Sequence, residues 1–229
     1  MFSHPEKLIY THHVNKEVQS GDIRINILRD INLTIHTGET LAILGKSGSG
    51  KTTLLTLLAG LDLPTSGEIY FINEKIHLLN EDARALLRGK NVGFIFQSFQ
   101  LLPALTALEN VMLPLEIQYA SYTAAKAAAT AWLNKVGLEQ RLHHYPAQLS
   151  GGEQQRVAIA RAFVTEPKII FADEMTGNLD PQTGRLISDI LFSLNQDKQI
   201  TLVLVTHDES LAARCQRKFI LQEGMLQPC

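Results

Sequence analysis

The chain is poor in cysteine. Its 229 residues include two, Cys215 and the terminal Cys229, and these match neither a metal-ligand spacing nor a C-x-x-C redox pair. A disulfide scaffold and a cysteine-ligated zinc module are thereby excluded, and unpaired thiols point to a reducing compartment. Charge of one sign is lacking as well. With 21 Lys and Arg against 23 Asp and Glu the formal net charge is −2, which gives no general pull toward nucleic acid or an anionic membrane surface. Nowhere is there an uninterrupted apolar stretch of membrane-spanning length, and Met1 to Tyr10 has no apolar run behind a basic region as a secretory leader would. Internal repeats and low-complexity tails are missing too. What remains is 45% hydrophobic and 19% charged over a length able to bury a full core. That is the composition of a globular protein, expected to be made and kept in the cytoplasm.

Against this background Gly45-Lys46-Ser47-Gly48-Ser49-Gly50-Lys51-Thr52 fits G-x-x-x-x-G-K-[ST] at every fixed position. Its flanks support the match: Glu39 to Leu44 reads as a buried strand and Thr53 to Ala59 as a buried helix. Glycines let backbone amides curl around phosphates. Lys51 is expected to reach the β- and γ-phosphates of a nucleoside triphosphate, and Thr52 to ligate Mg2+. Gly45, Ser47, Gly48, Ser49, Gly50 and Thr53 complete the cradle at the positive end of the helix.

Along the chain, residues 7–14 and 23–36 read as half-buried strands of an antiparallel sheet, with Ile23, Ile25 and Ile27 alternating against Arg24 and Asn26. Further strands are expected over Glu68 to Ile72, Asn91 to Phe96, Lys168 to Ala172 and residues 200–206. Helices are expected over Asn80 to Arg88, Thr106 to Ile117, Thr123 to Val136, 182–195 and 208–214, with a closing hairpin around Glu223-Gly224. The expected fold is α/β, a single domain over 1–229 with antiparallel strands on one side and an inserted α-helical lobe over about 98–164.

Two acids, Asp173 and Glu174, directly follow an apolar run, so they should emerge at the C-terminal edge of a buried parallel strand, where ligands of open α/β sheets sit. Phosphoryl transfer to water needs one acid to hold a metal and another to hold the water; Asp173 suits the first task and Glu174 the second. His207 ends a second apolar strand, and its position favours contact with the γ-phosphate or the water. Ser150 with Glu153 three residues on is a capping box that opens a helix. Two glycines in its first turn, Gly151 and Gly152, cost about 1 kcal/mol of helix propensity each. They are read here as room for a close approach, with an anion at the helix N-terminus as the occupant.

Taken together, from end to end these motifs resemble the ATP-binding subunit of an ATP-binding cassette (ABC) transporter, whose core is a RecA-like P-loop NTPase fold. The resemblance implies that Gly45 to Thr52 is the Walker A loop and Gln97 the Q-loop residue, near Mg2+ and the attacking water. It likewise implies that Leu149 to Gln154 is the signature, Asp173 the Walker B acid, Glu174 the catalytic glutamate, Asn178-Leu179-Asp180 the D-loop and His207 the switch histidine. Ser150, Gly151 and Gly152 would then act in trans, with Asp180, across a homodimer holding ATP and Mg2+. Gly60-Leu61-Asp62, Leu105 to Val111 and Thr176 to Asp180 are similar to the lipoprotein-releasing and macrolide-exporter branch and its uncharacterised bacterial relatives.

The resemblance implies integral membrane permease subunits as partners, a place on the cytoplasmic face of the inner membrane, and no nucleic acid. Leu108, Val111, Met112 and Leu115, with the Gln97 region, are either the docking surface for a permease helix or core of the lobe. The competing function is a soluble cassette ATPase acting on a non-transport partner, which usually shows tandem cassettes, coiled coils or basic arms. A metabolic kinase with the same loop leaves the signature, Gln97 and His207 unexplained. Two departures from the family pattern stand out: Met175 replaces the usual Pro, which should loosen the catalytic loop, and Val18 replaces a usual aromatic residue. Tyr10 is expected to be misplaced to substitute for that ring.

Overall fold

In chain order the computed structural model, which describes residues 6–21 and 23–229, forms β1 (Lys7–Ser20), β2 (Ile23–Ile31), β3 (Thr34–His36), β4 (Thr40–Leu44), α1 (Lys51–Leu58), β5 (Ser66–Phe71), β6 (Glu74–Lys75), α2 (Glu81–Asn91) and β7 (Val92–Phe96). There follow α3 (Ala107–Ile117), α4 (Tyr122–Lys135), α5 (Gly151–Phe163), β8 (Ile169–Asp173), α6 (Pro181–Lys198), β9 (Thr201–Thr206), α7 (Glu209–Ala212), β10 (Arg217–Gln222) and β11 (Met225–Pro228). The leader reading of Met1 to Pro5 lies outside the described residues. Two compact units result: one runs from the N-terminal stretch to Arg88 and resumes at Thr201–Cys229, and the other is Gly89–Ile200.

The first unit holds an antiparallel sheet in the order β2-β1-β5-β6, with β3 also on β1. Strand β1 is longer than its alternation suggests, and its register shifts against both β2 and β5 between His12 and Glu17. Beyond Val14 the strand carries Asn15, Lys16, Glu17, Val18 and Gln19, none of them buried, so no apolar alternation marks it. The stretch read as one strand over 23–36 divides into β2 and β3. The same unit also holds β10, β4 and β9 paired in parallel, with β11 antiparallel to β10. All six residues of β9 are buried, the continuous apolar run of a strand covered on both faces.

In the second unit β7 and β8 pair in parallel. Helix α5 lies close on β7: a Cβ added to Gly93 would fall 2.4 Å from the carbonyl oxygen of Ala162, so only glycine allows this approach. Helices α3, α4 and α5 pack on one another, and Trp132 of α4 meets Phe163 of α5 at 5.4 Å between ring centroids. Leu108, Val111 and Met112 are buried in this packing. Of the two readings of that helix, core is therefore the one that holds for these three residues.

Candidate functional site

In the first unit β4 delivers the chain into the glycine-rich loop and α1 takes it away. Gly50 is the N-cap of α1 in a left-handed conformation (φ 97°, ψ 11°), and no side chain caps the helix there. A helix start of this kind turns its N-terminal amides, with the positive end of the helix dipole, toward the loop. Lys51 is 6% exposed and folds back over the loop, its Nζ donating to the carbonyls of Gly45 (2.9 Å) and Lys46 (3.0 Å). Ser49 Oγ is buried without a hydrogen-bond partner, a polar atom whose desolvation a ligand would offset. A Cβ at Gly45 would lie 2.6 Å from both Ser49 Oγ and the carbonyl of Leu221. Gly48 also has positive φ (77°). A cationic floor, glycines where a Cβ would intrude and an unpartnered hydroxyl fit a triphosphate.

His207 belongs to this half. Thr206, the residue before it, pairs with Leu44, the residue before Gly45, so the histidine and the loop leave the sheet at the same level. The side chain of His207 is exposed.

The other expected residues meet in the second unit. Phe96 pairs with Asp173, so Gln97 and Glu174 leave adjacent strands side by side. Asp173 is thus the last residue of β8, and Glu174 turns out of the strand in a left-handed conformation (φ 43°), uncommon for a residue with a Cβ. Gln97 Nε2 donates to Asn178 Oδ1 at 3.2 Å, and Asn178 Nδ2 donates to the Gln97 carbonyl at 3.0 Å. A Cβ at Gly177 would stand 2.8 Å from Gln97 Nε2. The Asp180 carboxylate caps α6, accepting from the amides of Gln182 and Thr183; bonds from Thr183 lead in holding its pKa below the usual range.

The capping box at α5 is formed as the sequence implies. Ser150 N donates to Glu153 Oε2 (2.8 Å), and Glu153 N donates to Ser150 Oγ (3.3 Å). Arg141 Nε donates to Glu153 Oε1 at 2.8 Å, and this guanidinium, ahead of the Ser150 amide, holds the Glu153 carboxyl down to about 2. The two glycines have an occupant that the sequence did not reveal. A Cβ at Gly152 would meet Thr183 Cγ2 at 2.6 Å, and one at Gly151 would meet Leu179 Cδ2 at 3.3 Å. The close approach inferred there is made first by the chain itself, on α6 and the turn before it.

Among the described residues no group of three or more His, Cys, Asp and Glu could hold a metal ion alone. Met175 is 2% exposed, its side chain packed into the interior. Val18 pairs with Ile25, and both are exposed, at 39% and 44%. Tyr10 is engaged elsewhere, stacked on Tyr70 at 4.3 Å and 10°.

Sequence reasoning missed Arg161. Its Nη1 donates to the carbonyl of Gln100 (2.6 Å) and its Nη2 to that of Phe99 (2.8 Å), partners 61 and 62 residues away in sequence. It also missed an open cavity of about 290 Å3 lined by Phe94, Phe96, Gln100, Pro114, Ile117 and Arg161 among others.

A phosphate-cradling loop between a parallel strand and a helix, with paired acids ending a further parallel strand, defines a P-loop nucleotide-binding ATPase. The family model described as ABC transporter matches residues 28–177, and the chain belongs to that family as an ATP-binding, ATP-hydrolysing subunit. It is 53% identical over 222 residues to the uncharacterized ABC transporter ATP-binding protein YbbA of Escherichia coli K12, covering 97% of each chain. It is 44% identical over 217 residues to the lipoprotein-releasing system ATP-binding protein LolD of Hydrogenovibrio crunogenus, covering 95% of this chain and 94% of that one. Among solved structures it resembles the dimeric post-hydrolysis state of the ATP-binding cassette MJ0796 bound to ADP and Pi, with a TM-score of 0.88 and 41% identity over 96% of this chain and 98% of that one. No helix among the described residues is long and apolar enough to cross a membrane.

Proposed function

We propose that ATP closes two copies of this chain head to tail, that hydrolysis reopens them, and that a separate membrane permease of the lipoprotein-release or exporter type is moved in turn. The residues from Gly45 to Thr53 hold the triphosphate of one protomer, and Ser150, Gly151, Gly152 and Asp180 of the other complete its enclosure. Glu174 accepts a proton from the attacking water, while Gln97 and His207 orient that water and the γ-phosphate. Thr52, Asp173 and Gln97 would hold Mg2+, which would supply charge neutralisation for the phosphoryl transfer. Mutual enclosure makes the dimer ATP-dependent.

The observation that carries the dimer reading is the likeness, over nearly the whole chain, to a cassette solved as a dimer with ADP and Pi. For the permease, the cavity beside α3 and α5 is the docking site that the burial of Leu108, Val111 and Met112 leaves open. Phe94, Phe96 and Pro114 line it, Ile117 stands 67% exposed at its rim, and Tyr119 and Tyr122 are exposed just beyond. An apolar trough of this kind takes one amphipathic helix. Such docking places the subunit peripherally on the cytoplasmic face of the membrane.

Glu174→Gln tests the reading. It removes the proton acceptor and leaves the phosphate cradle intact, so ATP should bind, turnover should stop, and size exclusion with Mg-ATP at about micromolar protein should show a dimer. Lys51→Ala should remain monomeric because it removes the charge that holds the phosphates. A Glu174→Gln protein that stays monomeric under these conditions overturns the trans-acting site.

A further inference from the structure

Glu153 has two effects that oppose each other. It is the acidic residue in the first turn of α5, where a carboxylate suits the positive end of the helix and the Ser150 amide that it binds at 2.8 Å. The same charge repels any second anion brought to that helix start, and like charges left facing each other weaken association.

Arg141 answers that repulsion. Its Nε donates to Glu153 Oε1 at 2.8 Å, while Oε2 accepts from the Ser150 amide, so each carboxylate oxygen has its own donor. The arginine comes from the connection between α4 and α5, and the main chain there is pinned. Arg141 N donates to the Leu138 carbonyl at 2.9 Å, and the Arg141 carbonyl accepts from His144 N at 3.0 Å. The carbonyls of His144 and Leu142 in turn accept from Ala107 N (2.8 Å) and Leu108 N (2.9 Å), amides at the start of α3 that have no partner within their own helix. Arg141 and Glu153 keep 43% and 18% of their side chains exposed. A pair so placed adds little to stability, and its charges act chiefly on what approaches from outside.

We propose that Arg141 is a positioning residue for the ATP-dependent dimer: by neutralising Glu153 it lets α5 keep its capping carboxylate and still receive the triphosphate held by the other protomer. The ion pair stands on the geometry, whereas the phosphate that it serves rests on the function proposed above.

The test uses the full chain carrying Glu174→Gln with saturating Mg-ATP, and reads the dimer dissociation constant by size exclusion over a dilution series. At about 50 mM salt Arg141→Gln should weaken association about fivefold, the size expected of a partly exposed charge, and the factor should shrink toward one at about 500 mM salt. Arg141→Lys keeps the charge and should associate like its parent. Adding Glu153→Gln to Arg141→Gln should restore association, because glutamine completes a capping box as glutamate does and brings no charge. An arginine that merely braces the loop behaves differently: its loss persists in the double variant and at every salt concentration. Should Arg141→Gln fail to fold, Glu153→Gln alone decides, since it keeps the cap, leaves the guanidinium unopposed and should tighten association by a similar factor. With a parent that dimerises, the compensation is overturned by a defect that survives the double substitution or high salt, by an equal defect in Arg141→Lys, by no defect at all, or by a Glu153→Gln protein that associates no more tightly. A Glu174→Gln parent that stays monomeric overturns the earlier reading, and this one with it.

Discussion

Val18 illustrates how one side chain sets an expectation about the substrate. A base lying on an aromatic ring gains roughly 1–3 kcal/mol by stacking, and the exposed Val18–Ile25 pair offers aliphatic contact without a π-face. Nearby, Ile27, two residues along β2 from Ile25, is the neighbour that a Cβ on Gly50 would meet at 3.1 Å, so this strand runs beside the phosphate loop. Affinity should then come mostly from the triphosphate and Mg2+, and discrimination between ATP and GTP should be weak. Val18→Tyr is expected to tighten ATP binding by about tenfold and leave turnover unchanged. Titrating both nucleotides into Glu174→Gln protein, with and without Val18→Tyr, decides the matter. A strong native preference for ATP, unmoved by the substitution, would show that another group holds the base.

At the scale of elements, α5 depends on its first turn. Glu153 binds the Ser150 amide and Arg141 together, and its carboxyl is held down to about 2 from the usual 4.5. A folded-state pKa below the unfolded one contributes stability above the unfolded value and loses it as pH falls through the folded one. Stability should therefore decline between about pH 4.5 and 2. Arg141→Gln should flatten that decline by at most about 1 kcal/mol, because the arginine is partly exposed, and Ser150→Ala should cost about 1 kcal/mol at neutral pH. Denaturant unfolding across that pH window measures both. A wild-type slope unchanged in Arg141→Gln would place the pH dependence elsewhere.

The same helix shows what a sequence makes legible. The capping box and the strand, loop and helix around Gly45 to Thr52 are contiguous signals, readable because their physics is local. The far half of β1 was not, since no buried apolar residue follows Val14 to mark an alternation. The Arg161 clamp was not, since its partners lie on another element and no periodicity announces them. At Met175 the backbone freedom was visible in the chain, and the burial of its side chain was not.

At the scale of the whole molecule, the two signature glycines invite two explanations that a single substitution confounds. Gly152 is crowded from within by Thr183 Cγ2 at 2.6 Å, so Gly152→Ala should overpack the contact with α6 and cost about 1–3 kcal/mol. Loss of ATP-dependent association in that variant would say nothing about the partner protomer. Adding Thr183→Ser removes the offending methyl and keeps the hydroxyl. The double variant should regain its stability, with up to about 1 kcal/mol more from replacing glycine inside a helix. If the amide of Gly152 also meets the partner's nucleotide, the added methyl still obstructs that approach. The double variant, built on Glu174→Gln, should then unfold like its parent yet form the Mg-ATP dimer more weakly by size exclusion. Recovery of both stability and dimer would mean that this glycine serves only packing within the chain, and that the trans contact is made by Ser150 and Gly151 without it.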